Sequence, residues 1–304
     1  MILRPGLPDD MGAMERLWNT HLGDSLQLRP GVLRMTIFDD PTRREDDVVV
    51  AVEGDVVAGV GWLKRWRPPW SDARFADVAF LGGLAVAIPG QGVGSRLLQA
   101  LEDRARQEGC TAMDISGGLL HLVPGVPADA ADALVFFERR GYVFDADQHY
   151  DLIGDIGRYR AASEHCRVAT DADALLEFLA REFPGSWELH ARWHLTHGGR
   201  PSDFVVAEVD GRVEGFCHIF RPDAWPAGPS TYWSTSGGLG PIGVSERLRG
   251  EGLGRELMQA SLAELSTSGV VVCTIDWTRL ADFYAKFGFA PHRAYVRGRK
   301  RLDR

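Results

Sequence analysis

Hydrophobic positions along the chain recur in the same order in its two halves. Apolar runs on either side of a Gly-containing turn predict one β-hairpin over 48–63 and another over 204–220. In each half the next apolar strand leads through a glycine-rich turn into an amphipathic helix, at 95–108 and 255–266. A further strand and an aromatic-rich helix that ends at glycine follow in both halves. We therefore predict one α/β unit that is present twice.

The two copies define the predicted domains. Each copy opens with a short strand and a helix, for which Asp9 and Asp171 are the predicted N-caps. The first copy is longer because of a loop insertion around 117–130. No low-complexity linker joins the copies, so we predict adjoining domains at 1–155 and 156–304. The expected class is α/β (α+β mixed sheet), with a largely antiparallel sheet flanked by helices in each domain.

Composition fits a globular protein of two domains. Apolar residues make up 45% of the 304 residues and charged residues 25%. No apolar run approaches the roughly 18 residues of a membrane span, and the first ten residues contain two prolines and two acids where a signal peptide needs an apolar stretch. The four cysteines lie far apart without a CxxC motif. We therefore predict a cytoplasmic protein with reduced thiols and no metal.

The net charge of −8 is unevenly distributed along the sequence. Residues 1–155 contain 15 basic and 24 acidic side chains, whereas residues 156–304 contain 19 and 18. An acidic chain is unsuited to nucleic acid or to an anionic membrane, and we predict neither as a partner. The near-neutral second half is the more favourable place for a polyanionic ligand.

The glycine-rich turns are candidate phosphate sites. Without a Cβ, glycine lets the backbone approach an oxyanion closely, and the N-terminus of the following helix attracts negative charge. A single turn of this kind is as often a tight packing turn. Here it occurs twice, and Arg249 and Arg255 flank the second copy, Gly250-Glu251-Gly252-Leu253-Gly254. We therefore predict phosphate binding in the second half.

A dinucleotide site is an alternative interpretation of these glycines. Asp276 comes at the end of the next predicted strand, where a ribose-binding acid could lie. However, the glycines are spaced G-x-G-x-G rather than G-x-G-x-x-G, and a hairpin precedes them instead of a βαβ unit. Both observations disfavour a dinucleotide.

Other clusters carry weaker signals. His190, His194 and His197 share a helix face at a spacing that could bind zinc, but no HExxH motif or nearby cysteine completes a site. Tryptophans interleave with Lys64 and its basic neighbours, which superficially resembles a nucleic-acid patch; an interdomain or substrate loop is the favoured interpretation. Further tryptophans of the second half could line a pocket: Trp187, Trp193, Trp225, Trp233 and Trp277.

Two motifs in order carry a family resemblance. Residues 249–254 match the pattern R/Q-x-x-G-x-G/A, and Ile242 and Val244 occupy the apolar positions of the strand before it. Phe283-Tyr284-(x)3-Gly288-Phe289 matches the aromatic helix that follows later. The second half resembles the GNAT superfamily of N-acetyltransferases, and the whole chain resembles its tandem two-domain members.

The resemblance implies an enzyme that transfers acetyl from acetyl-CoA to a primary amine of a small molecule by direct attack. The backbone N–H of Val244 would polarise the thioester carbonyl, and Tyr284 would protonate the departing thiolate. The residues implied in holding acetyl-CoA are Ile242, Val244, Arg249, Gly250, Glu251, Gly252, Leu253, Gly254 and Arg255.

The general base is open to several interpretations. Asp276 follows the predicted strand 270–275 on the side where the coenzyme is expected and is the first candidate, while Glu208, Glu214 and Glu246 are also available. For Tyr284, helical periodicity alone would favour a place in the core, and the motif match favours the catalytic role.

The first half departs from the family pattern. Pro89 stands where Arg or Gln is expected, the glycine loop is two residues shorter, and Phe137 replaces the tyrosine. We therefore expect a degenerate first domain and a catalytic second domain, in a monomer or homodimer. Two alternatives remain: a non-catalytic acyl-CoA sensor, and an amide-forming enzyme of the mycothiol synthase type.

Overall fold

A computed structural model of the chain describes residues 1–160, 163–222 and 237–302. Its contacts divide the chain into two compact units. The first unit consists of Met1–His149 with Ala294–Arg304, and the second unit consists of Tyr150–Arg293. This division departs from the predicted boundary at residue 155, because residues 150–155 belong to the second unit and residues 294–304 to the first.

The first unit contains an open sheet in the order β1-β2-β3-β4-β5-β13, in which only β4 and β5 are parallel. The short strand β6 pairs with β13. The elements, some of which run on into the second unit, are β1 (Ile2–Pro5), α1 (Met11–His21), α2 (Gly23–Leu26), α3 (Val32–Ile37), β2 (Val48–Glu53), β3 (Val56–Lys64), β4 (Val78–Val86), α4 (Val93–Gln107), β5 (Ala112–Ile115), β6 (Val126–Pro127), α5 (Ala131–Glu138), β7 (Val143–Asp155) and β13 (Ala290–Arg301).

The second unit repeats this arrangement with the strand order β7-β12-β11-β10-β9-β8, in which only β11 and β12 are parallel. Its remaining elements are β8 (Cys166–Val168), α6 (Ala172–Glu182), α7 (Ser186–Thr196), β9 (Phe204–Val209), β10 (Arg212–Phe220), β11 (Gly237–Val244), α8 (Leu253–Thr267), β12 (Val272–Thr278) and α9 (Ala281–Ala285). The predicted mixed sheets flanked by helices are confirmed in both units.

Two long strands explain why the units do not follow the halves of the sequence. The last residues of β7 pair with β12 of the second unit, from Tyr150↔Thr278 to Asp155↔Val272. The last residues of β13 pair with β5 of the first unit, where Arg299 lies opposite Asp114 and forms an ion pair with it. Each half of the sequence therefore supplies one strand to the unit that consists mainly of the other half.

This exchange of strands removes the charge difference between the halves. The first unit contains 20 basic and 23 acidic residues, and the second unit contains 14 and 19. The five cations of residues 294–304 account for most of the change. Net charge therefore does not identify which unit suits a polyanionic ligand, and the sequence-based argument from charge favours neither unit.

Of the two predicted N-caps, Asp171 is an N-cap in the structure and Asp9 is not. The Asp171 carboxylate accepts hydrogen bonds from the N–H groups of Asp173 and Ala174 at the start of α6, so this prediction is confirmed. Asp9 is not an N-cap, because it lies within a short 3₁₀ turn and the N-cap position of α1 is Asp10.

Two apolar clusters distinguish the faces of the second unit's sheet. One face packs against α8 through residues such as Cys217, Leu239 and Ile275. The other face packs against α6 and α7 through residues such as Phe204 and Phe216. Because side chains alternate along a strand, each residue of this sheet can be assigned to the α8 face or to the α6–α7 face.

The basic residues near the tryptophans of the first unit are buried in ion pairs. Lys64 contacts Asp40, and Arg67 Nη1 lies 2.6 Å from Asp47 Oδ2. These cations belong to the interior of the unit and do not form an exposed basic patch. No helix within the described residues is long and apolar enough to cross a membrane.

Candidate active site

The parallel strands β11 and β12 of the second unit separate after a short ladder. They pair only at Gly237↔Cys273 and Gly238↔Thr274, although β11 continues to Val244 and β12 to Thr278. In the first unit the corresponding ladder runs to the end of β5. The separation leaves a gap between β11 and β12 in which backbone groups of β11 lack the neighbouring strand.

The register of β11 shows which backbone groups point into this gap. The N–H of Ser245 donates to the carbonyl of Glu214, so the pair Val244↔Gly215 is of the non-hydrogen-bonded kind. The N–H of Val244 therefore points away from β10 and toward the gap. Ile242, two residues earlier and opposite Cys217, has the same orientation. A ligand in the gap can hydrogen-bond to both residues as a strand would.

The glycine loop of the second unit presents a run of free backbone donors. Gly250 and Gly252 have φ values of 89° and 95°, a left-handed conformation that favours glycine, and Gly252 is the N-cap of α8. Anywhere in the described ranges, no hydrogen-bond acceptor is found for the five N–H groups of residues 250–254. Together with the dipole of the 15-residue helix α8, they form a site suited to a phosphate group.

The side chains around this loop are arranged for a charged ligand. Arg249 and Arg255 are exposed on either side of the glycines, and Glu251 is exposed between them. Leu253 is buried and anchors the start of α8 in the core, while Gly254 is half-buried beneath Val244. The structure thus places all the residues predicted to hold acetyl-CoA along one stretch, from the gap to the tip of α8.

Asp276 lies inside a strand rather than after it, contrary to the prediction. The register of β12 against β7 shifts between Ile275↔Leu152 and Thr278↔Tyr150, so Asp276 and Trp277 together lie opposite Asp151. Trp277 has a positive φ of 46°. Such a β-bulge changes the direction of a side chain and is common beside active sites.

The environment of Asp276 suits a base near neutral pH. Its side chain is half-buried, and burial together with the negative charge of Asp151 raises the pKa of Asp276 to about 7. By contrast, burial raises the pKa of Glu214, but its interactions with Arg247, Ser245 and Arg181 together bring that pKa below its ordinary value. Glu208 pairs with Arg167, and Glu246 is exposed. Of the four candidate bases, Asp276 fits best.

Tyr284 lies on α9 with its side chain only 5% exposed. Its ring packs in the core against Phe283 and Phe289. Within the described residues the hydroxyl makes no hydrogen bond. Burial raises the pKa of Tyr284 well above its ordinary value, and the neighbouring Cys217 and Asp276 add to the shift. The hydroxyl is therefore protonated at neutral pH and close enough to Asp276 to sense its charge.

His190 and His194 on α7 each contact another group of the protein. His194 Nε2 lies 2.9 Å from Asp203 Oδ2, and its ring lies 4.5 Å from that of His218. His190 Nδ1 lies 2.6 Å from the carbonyl of Ser186. In the parts of the chain that the structure describes, no group of three His, Cys, Asp or Glu side chains could hold a metal ion. Trp225 and Trp233 lie outside the described residues.

Comparison with known proteins identifies the family. A model described as "Acetyltransferase (GNAT) family" matches residues 14–142 and again residues 172–289. The chain belongs to this family. Because both matches lie in one chain, it is a tandem GNAT protein. No curated protein matches its sequence.

Solved structures show the same fold along almost the whole chain. One is a fungal multi-domain GH3 β-N-acetylglucosaminidase with a GCN5-related glucosamine N-acetyltransferase region (23% identity, TM-score 0.84); the comparison covers 98% of this chain but only 38% of that one. A GCN5-related N-acetyltransferase from Sphaerobacter thermophilus has 18% identity and a TM-score of 0.73 over 100% and 96% of the chains. A tandem GNAT protein from the clavulanic acid pathway has 17% identity and a TM-score of 0.69 over 100% and 99%.

The two GNAT units differ at the positions that could carry chemistry. In the first unit, Gly92 (φ 78°) also begins a helix, but Phe137 takes the place of Tyr284 and cannot donate a proton. Ser116 takes the place of Asp276, and its hydroxyl contacts the carbonyl of Val123. At these two positions the titratable side chains are therefore those of the second unit.

Proposed function

We propose that this tandem GNAT protein transfers an acetyl group from acetyl-CoA to the primary amine of a small molecule, at a site in the second unit. The observation that carries the proposal is the run of five N–H groups at residues 250–254 that find no acceptor among the described residues, directly beside the gap between β11 and β12. GNAT enzymes generally use acetyl-CoA, whose pyrophosphate fits such a set of donors.

The binding part of the proposal rests on backbone groups and two cations. The N–H groups of residues 250–254 would hold the pyrophosphate, with Arg249 and Arg255 as charge partners. The N–H groups of Ile242 and Val244 would hold the chain that leads to the thioester. The donor at Val244 would face the carbonyl oxygen, where negative charge develops during attack.

The chemical part of the proposal rests on two side chains. An amine attacks only when neutral, so Asp276 would accept a proton from the ammonium form of the acceptor. Tyr284, which is protonated at neutral pH, would donate a proton to the sulfur as the thiolate leaves. The second proton lost from the nitrogen would restore the Tyr284 hydroxyl, which leaves one proton on Asp276 to be released.

The acceptor is proposed to be an amino sugar or a related cationic amine. The fungal protein of similar fold is described as having a glucosamine N-acetyltransferase region. The acidic pair Asp151 and Asp276 suits an acceptor that arrives as an ammonium ion. We further propose that the first unit, which lacks the tyrosine and the carboxylate, does not catalyse the reaction.

The proposed function is tested by measuring the release of coenzyme A with a panel of amines. Glucosamine, other amino sugars, aminoglycosides, polyamines and peptide N-termini are each incubated with acetyl-CoA and the protein. We expect release above the rate of hydrolysis with at least one non-peptide amine, and the N-acetyl product in the mass spectrum.

Two outcomes would contradict this function. Tight binding of acetyl-CoA without release for any amine would favour a sensor. Release only with a larger, thiol-containing amine would favour an amide-forming enzyme of the mycothiol synthase type.

Tyr284→Phe is expected to slow turnover without weakening the binding of acetyl-CoA. The hydroxyl makes no hydrogen bond within the described residues, so its removal costs little folding energy, while loss of a general acid typically costs about 10²-fold in rate. The measurement is kcat with the best amine, together with Kd for acetyl-CoA by calorimetry.

Tyr142→Phe is the control from the first unit: its tyrosine hydroxyl is also buried, although unlike that of Tyr284 it donates a hydrogen bond to Glu102. An equal loss of kcat in both variants, or an unchanged kcat in Tyr284→Phe, would refute the role as acid.

A further inference from the structure

Asp151 and Asp276 project from neighbouring strands on the same face of the second unit's sheet. Leu152 and Ile275, which follow and precede them in sequence, both belong to the core on the α8 face. By alternation the two carboxylates lie on the opposite face. The register places Asp151 opposite the bulge that contains Asp276, so the two acids face each other across adjacent antiparallel strands.

The pair lies next to the machinery of the proposed reaction. Asp276 is on the strand that borders the gap, and the uncharged Tyr284 hydroxyl, 5% exposed and without a hydrogen bond in the described part of the chain, is close enough to be coupled to it. The other neighbouring strand, β11, has no titratable side chain. The charge of Asp151 on β7 acts on the pKa of Asp276, and the charge of Asp276 acts in turn on the pKa of Tyr284 on α9.

We propose that Asp151 is a positioning residue which acts through Asp276 and makes that carboxylate a base strong enough to deprotonate an ammonium group. This inference rests on the proposed function. Two facing carboxylates in a half-buried place resist being ionised together, so one of them retains affinity for a proton at neutral pH. The pair titrates as a unit, and Asp276, the more exposed member, exchanges the proton with the acceptor.

The proton transfer is balanced within the pair. The nitrogen–proton bond of the ammonium group breaks, its electron pair stays on nitrogen as the nucleophile, and the proton bonds to a carboxylate oxygen of Asp276. Asp151 takes no part in the proton transfer itself. The positive charge lost by the acceptor is matched by the negative charge lost by Asp276, so the step moves no net charge into the site.

Asp151→Asn is expected to shift the acidic limb of the pH profile of kcat/KM downward by about one to two pH units, because one negative neighbour is removed. The same amine is used for both proteins, so its own titration is unchanged. Asp151→Glu, which keeps the charge, is expected to retain the position of the limb. Asp155→Asn is the matched control, because it removes one exposed carboxylate from the same strand and should leave the limb in place.

A direct titration separates this inference from the proposed function. The carboxyl signal of Asp276 is followed by NMR in protein labelled with ¹³C-aspartate and is assigned by its absence in Asp276→Asn. A downward shift of its midpoint in Asp151→Asn supports the pair even if no amine releases coenzyme A. If transfer occurs but neither the limb nor the NMR midpoint moves in Asp151→Asn, the inference is wrong while the proposed function stands.

Discussion

Gly252→Asp is expected to weaken the binding of acetyl-CoA at least ~100-fold, a loss of about 2.7 kcal/mol. Gly252 has a φ of 95° and begins α8, and its N–H is among the five without an acceptor in the described residues. Aspartate tolerates this left-handed conformation better than most residues, so the fold should persist. Its carboxylate would lie among the donors and repel the pyrophosphate. Calorimetry with acetyl-CoA measures both affinity and stoichiometry.

Gly92→Asp is the matched control for this variant. Gly92 has a φ of 78° and begins the equivalent helix of the first unit, so the conformational cost of the change is similar. Arg249→Glu, which leaves the glycines unaltered, should weaken binding in the same direction as Gly252→Asp. If Gly92→Asp removes binding and Gly252→Asp does not, the coenzyme site lies in the first unit and our placement is wrong.

Asp276→Asn is expected to lower kcat/KM by roughly 10³-fold, within the usual range for loss of a general base. Asparagine preserves the shape of the side chain but cannot take a proton from the ammonium form of the acceptor. Because the lost function is deprotonation, the deficit should shrink as pH rises and more of the amine is already neutral. The measurement is kcat/KM between pH 6 and pH 10 with the best amine of the panel.

Asp276→Asn, which should lower activity, should also make the folded protein more stable than the wild type at alkaline pH. The pKa of Asp276 is raised to about 7 in the folded protein, so the stability that its proton contributes is fully present below the ordinary pKa and is lost as pH rises through 7. A shift of one pKa unit corresponds to ~1.4 kcal/mol. The free energy of unfolding of the wild type should therefore fall by roughly 2 to 4 kcal/mol between pH 4 and pH 8, and Asp276→Asn should not show this fall. Urea unfolding at both pH values measures this difference.

Asp282→Asn controls for the removal of a negative charge nearby, because Asp282 is exposed on α9. This variant should change neither kcat/KM nor the pH dependence of stability. If Asp276→Asn is as active as the wild type, the base lies elsewhere. Loss of activity combined with gain of stability is the pattern expected of a residue kept for function.

Local signals predicted much of the fold and of the geometry of the candidate site. The hairpins at 48–63 and 204–220 are present, and both glycine turns begin helices. These features depend on residues close together in sequence: alternation of side chains, the left-handed conformation of glycine, and the side-chain cap at Asp171. The same local geometry explains why the N–H groups of residues 250–254 have no acceptor in the part of the chain that the structure describes.

The acidic pair could not be predicted, because it depends on pairing between distant segments. Asp276 was expected after its strand, since the apolar run ends at Ile275. The bulge that keeps Asp276 within β12 is defined by the partner strand β7, and Asp151 enters the site only through that register. The sequence itself shows only that Asp151 precedes the apolar residues Leu152 and Ile153.

The unit boundary was missed for a related reason. A strand of 12 or 13 residues, such as β13 or β7, is long enough to pair with different neighbours along its length. Nothing in the composition of residues 294–304 indicates which sheet they join. Their five basic residues were counted with the second half, and the inference from charge depended on that assignment.

The exchanged strands also bear on how the protein forms during synthesis. All segments of the second unit precede residue 294, whereas the first unit needs residues 294–304 to cover the edge of β5. The part of the chain that leaves the ribosome first is therefore completed last. Until then an unpaired strand edge remains exposed, and the nascent protein is most prone to aggregate at that edge.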